Sequence, residues 1–313
     1  MFIMKPTFSI IIPHYNIPDL LMRCLESIPV SEDIQVIVVD DNSPGADTYL
    51  EKYPELSRPY LEFIRAPKNG GAGYARNIGL DHAKGKWLLF ADADDFYVDN
   101  MYELINAHYN SDADVIYFKK RSVYSCDISK PSPRDPTLNK LVDSFLNNNA
   151  QMSIRVGYGA PWGKMIRKSL VDRFQLRFDE VKYSNDKYFS VCVGIYAKSI
   201  DADRSILYNV TEREGSLISG LFSGKFSPDE LEVRTSVHYR VQLLLIENGI
   251  YVTPMPMRSC LLLMLKYDRL QYNKYFKDIK SIYPSKMSAI RDLSFGLVFY
   301  KKAIVYIYTL FFC

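Results

Sequence analysis

Short apolar runs alternate with helical spacing along the first third of the chain. Residues 8–12, 34–39 and 87–91 are continuous apolar or β-branched runs, and each one stops at a proline or an aspartate. Runs of this length, bounded in this way, predict buried β-strands, whereas residues 19–28 carry apolar positions at helical spacing. The alternation of strand and helix predicts a largely parallel sheet with helices packed on its faces.

The remaining elements suggest two parts. Residues 60–64 and 114–120 are further predicted strands, and residues 137–149 have helical spacing. After residue 227 the pattern changes to long helices, predicted at 228–248 and 259–267. We therefore expect an α/β domain over residues 1–222 and a helical C-terminal region over residues 223–313.

Carboxylates cluster where the third apolar run ends. Asp92, Asp94 and Asp95 follow that run directly, at the carboxyl end of a predicted strand, which is where open α/β sheets bind ligands. Clustered carboxylates repel one another unless a cation holds them, and Mg²⁺ or Mn²⁺ takes such oxygen ligands while bridging to phosphates. An acidic turn that caps the next helix is an open alternative. A calcium-binding loop fails because Phe96 and Tyr97 occupy the positions of a ligand and the glycine.

The ends of the first two strands carry residues suited to a nucleotide. Pro13 and Tyr15 follow the first strand, and Asp41 follows the second. Tyr15 offers a flat face for a base, and Asp41 can accept a hydrogen bond from a ring N–H such as that of uracil. Core packing of Tyr15 and a turn capped by Asp41 are the plainer alternatives. No GxGxxG motif follows the first strand, which argues against a dinucleotide-binding dehydrogenase.

Two glycine-containing segments add further candidates. Residues 67–72 form a predicted loop, and the small residues of the following segment, 73–79, permit close backbone approach. Arg76 in this segment is a candidate to face a phosphate or to hold the acids. An arginine on an ordinary helix after a glycine loop is the alternative. In residues 157–164, Trp162 would either stack on a sugar ring or fill a gap in the core.

Composition narrows the classes of function. The chain has 313 residues and a formal net charge of +3, which argues against a dedicated nucleic-acid-binding protein. Its five cysteines are scattered and form no CxxC motif, so neither a disulfide framework nor a zinc site is predicted. A reducing cytoplasmic setting fits this pattern, and the N-terminal residues show no apolar stretch typical of a secretion signal.

Four motifs in order resemble the inverting family 2 glycosyltransferases with a GT-A fold. They are IIIPHYN, VIVVDDNS, NGGAGYARNIGL and LLFADADDF, and they span the first 120 residues; a looser likeness continues to residue 220. The resemblance implies an α/β nucleotide-diphospho-sugar transferase fold with a mostly parallel sheet. It implies metal-dependent transfer, with Mn²⁺ or Mg²⁺, of a hexosyl or N-acetylhexosaminyl group from a nucleotide-diphosphate sugar, a UDP-sugar in the first instance. The acceptor would be a hydroxyl of a saccharide or a lipid-linked saccharide.

Residue roles follow from the same resemblance. Asp186 would be the catalytic base and Asp94 the metal ligand, whereas Asp95 resembles a flanking acid of unsettled purpose. Asn185 stands where relatives commonly have glutamate, so the role of that neighbour is in doubt. Pro13, Tyr15, Asp41, Arg76 and Asp92 would bind the donor nucleotide, and Trp162, Arg213 and Ser216 would belong to loops around the donor or acceptor.

The resemblance also implies a cellular setting. Surface polysaccharide assembly at the cytoplasmic face of the membrane is expected, without any nucleic-acid partner. The apolar tail, residues 303–313, is too short to span a bilayer, which needs about 20 residues, so either peripheral membrane contact or docking on the protein is open. A catalytically inactive nucleotide-sugar-binding protein or membrane assembly partner is the alternative function. Loss of Asp94 or Asp186 would mark it, and both are present.

Overall fold

The computed structural model describes residues 5–133, 136–213, 227–250 and 269–282. The chain divides into two compact units, Met1–Ser219 and Gly220–Cys313. The domain boundary expected at residues 222/223 falls in residues 214–226, outside the described residues.

The first unit alternates strands and helices, as its apolar pattern predicts. Its strands are β1 (Phe8–His14), β2 (Ile34–Asp40), β3 (Leu61–Arg65), β4 (Trp87–Phe90), β5 (Phe96–Tyr97), β6 (Val115–Tyr124), β7 (Asp127–Pro131), β8 (Lys164–Arg167) and β9 (Ile200–Glu212). Its α-helices are α1 (Pro18–Glu26), α2 (Tyr49–Lys52), α3 (Gly71–His82), α4 (Met101–Asn106), α5 (Thr137–Asn148), α6 (Gln151–Gly157), α7 (Lys168–Arg173) and α8 (Lys187–Tyr196). Short 3₁₀ helices cover Ala46–Thr48 and Pro54–Ser57.

One mixed sheet contains all of these strands. Its order is β3-β2-β1-β4-β8-β6-β9-β5, and β7 pairs with β6 off this path. The strands β3, β2, β1 and β4 are parallel, whereas β8 is antiparallel to both β4 and β6. Beyond β8, β6 and β9 are again parallel. The predicted α/β class is confirmed, and parallel pairing dominates the half of the sheet formed by the first four strands.

Register brings the ends of the parallel strands to one edge. His14 of β1 lies opposite Asp40 of β2, and Ile11 lies opposite Phe90 of β4. Every side chain of β1, β2 and β4 is buried, which explains why these strands are continuous apolar runs and do not alternate. The polar residues that follow the three runs therefore gather at the carboxyl edge of the sheet.

One part of the sheet differs from the sequence prediction. Arg213 and Ser216 are expected to lie in a loop, but Thr211 and Glu212, which directly precede Arg213, are the last two residues of β9. That strand pairs with β6 over residues 200–212 and with β5 through Tyr208 and Asn209. Its first half mixes charged and apolar residues without a clean period, so the apolar pattern gives no strand signal there.

The second unit contains two described helices, α9 (Pro228–Glu247) and α10 (Arg269–Ile282). The Ser227 side chain accepts a hydrogen bond from the Glu230 N–H at 3.1 Å and starts α9, and Gly249 lies beyond the end of the helix with φ 75°. This confirms the helix predicted at 228–248. The helix predicted at 259–267 and the tail 303–313 lie outside the described residues. Among the described helices, none combines the length and apolarity that a membrane crossing requires.

Candidate active site

The ends of β1 and β2 are locked together by a buried histidine–aspartate pair. His14 Nε2 accepts the Ile17 N–H at 3.2 Å, so the ring proton lies on Nδ1, which donates to Asp40 Oδ1 at 2.9 Å. Asp40 also accepts from the hydroxyl and backbone N–H of Ser43 at 2.5 and 2.9 Å. Although burial raises the pKa of Asp40, these hydrogen bonds outweigh it and lower the pKa. The pair fixes the two loops that carry the candidate nucleotide residues.

Tyr15 and Pro13 lie at this edge of the sheet. Pro13 is buried within β1, opposite Val39 of β2. Tyr15 is 47% exposed, so its ring is not part of the core. Asn16, which follows it, adopts φ 53° and donates its backbone N–H to Ser43 Oγ at 2.8 Å. The exposed ring agrees with a stacking face and disagrees with the alternative that Tyr15 packs inside.

Asp41 clamps the glycine loop at the start of α3. Its Oδ1 accepts the Gly70 N–H at 2.8 Å, and its Oδ2 accepts the Gly71 N–H at 2.7 Å. Burial raises the pKa of the Asp41 carboxyl, and the two backbone N–H groups oppose that rise. Each carboxylate oxygen retains a second lone pair, so one more donor can be accepted. The sequence pattern did not predict that Asp41 would also hold the glycine loop.

Asp92 is held from both its backbone and its side chain. Its N–H donates to the Tyr208 hydroxyl of β9 at 2.8 Å, and its Oδ1 accepts from Arg76 Nη2 at 2.5 Å. Arg76 lies on α3 and is 5% exposed. The acid that follows β4 is therefore paired with the one arginine that the sequence nominates for this role.

Asp94 is half-covered and faces a different arginine. Its Oδ2 accepts from Arg213 Nε at 3.0 Å, and its side chain is 23% exposed. Its backbone carbonyl accepts from Arg23 Nη2 at 2.6 Å and from Thr211 Oγ1 at 2.7 Å. Burial raises the pKa of Asp94, the nearby negative charge of Asp92 raises it further, and Arg213 opposes both. A second cation at this carboxylate would relieve the same repulsion.

Asp95 has a structural contact that accounts for its presence. The carboxylate is 3% exposed, and its Oδ1 accepts the backbone N–H of Thr211 at 2.7 Å. Asp95 therefore fastens the turn after β4 to the end of β9.

Arg76 links the acids to the loop that carries the candidate base. Its Nη2 contacts Asp92, and its Nη1 donates to Asn185 Oδ1 at 2.8 Å. The guanidinium also lies over the Phe178 ring, 5.3 Å from its centroid. Its Nε is buried and has no hydrogen-bond partner among the described residues. One side chain thus bridges two segments that are far apart in the sequence.

Close approach of the backbone makes this bridge possible. A Cβ atom at Gly73, one turn before Arg76, would collide with the carbonyl oxygen of Asp179 and would lie 3.2 Å from Cβ of Asn185. Only glycine lets α3 lie this near to the segment that leads into α8.

Asp186 is the residue before α8, but its side chain makes no capping hydrogen bond with the helix. Burial raises the pKa of the carboxyl; the positive charge of Arg76 lowers it, and the negative charge of Asp92 raises it. A carboxyl with a raised pKa is a stronger base once it is ionised. Asp186 is therefore not an ordinary side-chain cap of α8, and its role as the base stays a prediction.

Two lysines lie close to Asp186. Burial lowers the pKa of Lys187, and the charge of Asp186 opposes this. Lys164 is fully buried and donates to the Tyr158 carbonyl oxygen at 2.7 Å; burial and the charge of Lys187 hold its pKa well below the usual value. The charge of Asp186 also acts on Lys164. The candidate base thus lies beside two basic side chains, and burial lowers the pKa of both of them.

Trp162 is buried, 8% exposed, and belongs to the hydrophobic core. Its ring stacks on Tyr208 with centroids 5.3 Å apart and an interplanar angle of 14°. This is the contact that the core-filling alternative predicts. Because the Tyr208 hydroxyl accepts the N–H of Asp92, the indole supports the acid cluster indirectly, through Tyr208.

The residues at this edge fit a Mg²⁺ or Mn²⁺ ion that is bound partly by substrate phosphates. Among the described residues, no three histidine, cysteine or carboxylate side chains are arranged to hold a metal ion by themselves. Mg²⁺ and Mn²⁺ are nevertheless often held by one or two carboxylates together with substrate phosphates and water. The partly exposed Asp94 carboxylate suits that arrangement, and Asp92, engaged by Arg76, lies beside it.

Most of the residues nominated by the sequence lie at one edge of the sheet or are joined by hydrogen bonds. Direct contacts connect Arg76 with Asp92 and Arg213 with Asp94. Ser216 lies outside the described residues. Sequence reasoning missed Arg23, Tyr208 and Thr211, because each acts on the acids through long-range contacts. The pairing of His14 with Asp40 had a usable signal, since both residues end neighbouring predicted strands.

Comparison with known proteins agrees with this architecture. The sequence model of glycosyl transferase family 2 matches residues 9–175, a span longer than half of the chain. The chain belongs to that family, so the resemblance noted in its motifs is confirmed.

Three relatives illustrate the likeness. The poly(ribitol-phosphate) beta-glucosyltransferase of Bacillus spizizenii is 27% identical over 221 residues, which are 67% of this chain and 33% of that protein. S. aureus TarS 1-349, solved in complex with UDP-GlcNAc, is 22% identical with a TM-score of 0.65, covering 90% of this chain and 82% of that one. The mannosyltransferase PcManGT from Pyrobaculum calidifontis, solved with GDP-Man and Mn²⁺, is 14% identical with a TM-score of 0.50, covering 97% and 83%.

The comparisons establish the fold of the chain and cover only part of the length of several relatives. The structural matches confirm the GT-A fold of the chain. The chain spans 63%, 31%, 63% and 33% of the length of four curated relatives that it matches. Whether this chain shares the activities and substrates of those proteins is therefore a matter for proposal.

Proposed function

We propose that the protein is an inverting glycosyltransferase that moves a sugar from a nucleotide-diphosphate donor to an acceptor hydroxyl. Family membership supports a transferase, and the candidate site supplies groups suited to each part of the reaction. The observation that carries the proposal is the Arg76 guanidinium, which contacts Asp92 on one side and Asn185, the neighbour of Asp186, on the other. Asp92, the proposed donor-binding acid, is thereby joined through Arg76 to the residue that precedes the candidate base.

The residues of the chain would act in a definite order. Tyr15, with Pro13 shaping the turn, and Asp41 would hold the base, and Asp92 would bind the ribose beside Arg76. The ionised Asp186 carboxylate would take the proton of the acceptor hydroxyl as its oxygen bonds to the anomeric carbon. The bond from that carbon to the diphosphate oxygen would break on the opposite face, which inverts the configuration. Arg213 lies near enough to Asp94 to share in neutralising the diphosphate.

Asp94 would hold Mn²⁺ or Mg²⁺ together with diphosphate oxygens. When bound, such a cation stabilises the negative charge of the departing diphosphate. The Mn²⁺ in the PcManGT complex supports this assignment. A UDP-sugar of the hexose or N-acetylhexosamine class is the proposed donor, supported by the UDP-GlcNAc in the TarS complex.

The proposed acceptor is a saccharide or a lipid-linked saccharide in surface polysaccharide assembly. Support comes from relatives whose names refer to poly(ribitol-phosphate) glucosylation and to succinoglycan biosynthesis. We place the protein at the cytoplasmic face of the membrane, with peripheral contact through the tail 303–313. Cosedimentation with anionic liposomes tests that contact: removal of residues 303–313 should lower the bound fraction, and unchanged binding would favour a tail docked on the protein.

A panel of nucleotide sugars with Mn²⁺ tests the proposed activity. Release of the free nucleotide from one donor class, absent in Asp186→Asn, is the expected result. The surface variant Asp172→Asn is the matched control, since Asp172 is exposed and forms an ion pair with Lys168 on its own helix. Saturable binding of a nucleotide sugar without any turnover, over the full donor panel and with saccharide acceptors added, would contradict the proposal and favour a binding protein.

A further inference from the structure

Asn185 contacts both Arg76 on α3 and the loop that precedes α8. Its side-chain oxygen accepts from Arg76 Nη1 at 2.8 Å, and its backbone carbonyl accepts the N–H of Asp179 at 3.1 Å. Its Cβ also lies close to Gly73, so the residue is in contact with α3 as well as with the loop before α8. Asn185 is therefore held firmly enough to orient the guanidinium that it touches.

The Asn185 side chain is uncharged, and this affects how much of the positive charge of Arg76 is offset. Arg76 has one carboxylate partner, Asp92, and one amide partner, Asn185. A carboxylate in place of the amide would hold the guanidinium equally well but would cancel its charge. With the amide, Asp92 is the one carboxylate among the described residues that forms an ion pair with Arg76.

Asp186 is the group that senses this charge. Four charged groups act on it or are acted on by it: Arg76 from α3, Asp92 after β4, Lys187 on α8 and Lys164 on β8. Arg76 and Lys187 lower the pKa of Asp186, whereas burial and Asp92 raise it. The balance decides how much of Asp186 is ionised near neutral pH.

We propose that Asn185 is a positioning residue whose neutral amide holds the Arg76 guanidinium near Asp186 without cancelling its charge. Asn185 thus acts through Arg76 and not on the substrate. Its effect is to keep the neighbouring carboxylate ionised despite the burial that favours its neutral form. The inference rests on the proposed function only in naming Asp186 as the base; the proposed electrostatic effect can be tested without any turnover.

A titration of the Asp186 carboxyl carbon by ¹³C NMR tests the electrostatic effect without substrate. Loss of the signal in Asp186→Asn assigns it. Asn185→Asp should raise the midpoint by about one pH unit, because Arg76 is then neutralised. Gln175→Glu adds a negative charge at an exposed position outside the cluster and should leave the midpoint unchanged. An unchanged midpoint in Asn185→Asp would overturn the proposal.

A double-mutant cycle separates positioning from a merely structural role. Asn185→Leu removes the acceptor and should raise the midpoint in the wild-type background, because Arg76 is no longer held. The same substitution in an Arg76→Met background should have no effect, since the residue through which Asn185 acts is gone. Equal shifts in both backgrounds would show that Asn185 acts independently of Arg76 and would reject the mechanism.

The acid limb of the pH profile for donor turnover provides the second measurement. It should move to higher pH in Asn185→Asp in step with the carboxyl titration. If the carboxyl titrates as expected but no nucleotide sugar is turned over, the proposed function fails while the electrostatic inference stands. If turnover occurs and its acid limb ignores the substitution, Asp186 is not the base whose ionisation Asn185 controls.

Discussion

The Asp95 carboxylate accepts the backbone N–H of Thr211 at 2.7 Å, and this bond fastens the turn after β4 to the end of β9. Thr211 in turn donates its hydroxyl to the carbonyl of Asp94. The three acids of the cluster thus have separate contacts: Asp92 pairs with Arg76, Asp94 pairs with Arg213, and Asp95 accepts a backbone N–H. The neighbouring acids are not interchangeable.

Asp95→Ala should destabilise the first unit much more than Asp95→Asn. The alanine removes the carboxylate that accepts the buried N–H of Thr211, a loss of about 1–3 kcal/mol, whereas asparagine retains an acceptor oxygen. Urea unfolding of the two variants beside the wild type measures the difference. Equal losses in both variants would mean that the negative charge, not the hydrogen bond, is what the site requires.

Asp186→Asn should lower sugar transfer by about 10²–10⁴-fold, the usual contribution of a general base. The affinity for UDP in Mn²⁺ should stay close to that of the wild type, because asparagine preserves the shape and the backbone of the loop. Calorimetry and turnover of the donor selected by the screen provide the two measurements. A variant that still transfers sugar at the wild-type rate would remove Asp186 as the base.

The stability of Asp186→Asn should depend on pH in a defined direction. The folded protein raises the pKa of Asp186, chiefly through burial, so the folded state binds the proton more tightly than the unfolded state does. Wild-type stability therefore falls relative to the variant as pH rises from the unfolded pKa, about 3.9, through the raised folded pKa. Denaturant unfolding from pH 4 to pH 7 should show an advantage for the variant that grows with pH. A difference that is the same at every pH would contradict the raised pKa.

Asp94→Asn should remove most of the effect of Mn²⁺ on UDP binding. The amide is a weak ligand for a hard cation, whereas the contacts proposed for Tyr15 and Asp41 with the base do not depend on Asp94. Calorimetric titration of UDP with Mn²⁺ and with a chelator compares the two states. Wild-type affinity should drop on chelation, and the affinity of the variant should change little. Metal-independent binding by the wild type would argue against Asp94 as the ligand.

Trp162→Ala should cost about 3–5 kcal/mol of unfolding free energy, as expected for a large side chain removed from a core. Trp162→Phe should cost less, because it retains an aromatic face against Tyr208. Urea unfolding gives both values. If instead the alanine variant is fully stable and loses only acceptor affinity, the indole serves the sugar and not the core.

The strands that place the acids could be predicted from the sequence, for a physical reason. β1, β2 and β4 are buried on both faces, so their apolar runs are unbroken and the polar residues that follow them mark the sheet edge. β9 could not be found in this way. It carries Asp201, Asp203 and Arg204 among apolar positions, and it depends on pairing with β6 and β5.

The same distinction holds for the site. Asp92, Asp94 and Arg76 could be nominated because their residue types and local motifs carry the chemistry. The contacts of Tyr208, Thr211 and Arg23 with the acids involve sequence separations of 116, 117 and 71 residues, and no local pattern announces them. The sequence around Trp162 is compatible both with stacking on a sugar ring and with filling the core. Its stacking on Tyr208 in the structure favours the core role.

The dependence of the acid turn on β9 sets an order of events during synthesis. The ribosome releases β1, β2 and β4 early, and these strands can pair while the rest of the chain is still being made. Tyr208 and Thr211 emerge more than a hundred residues after Asp92, so the carboxylate turn must wait for them with its N–H and carbonyl groups solvated. Such distant closure is entropically slow. We therefore expect nascent chains that stop before residue 200 to pair β1, β2 and β4 but not to form the turn of Asp92, Asp94 and Asp95. Folding of β9 would then be the step that completes the acid cluster.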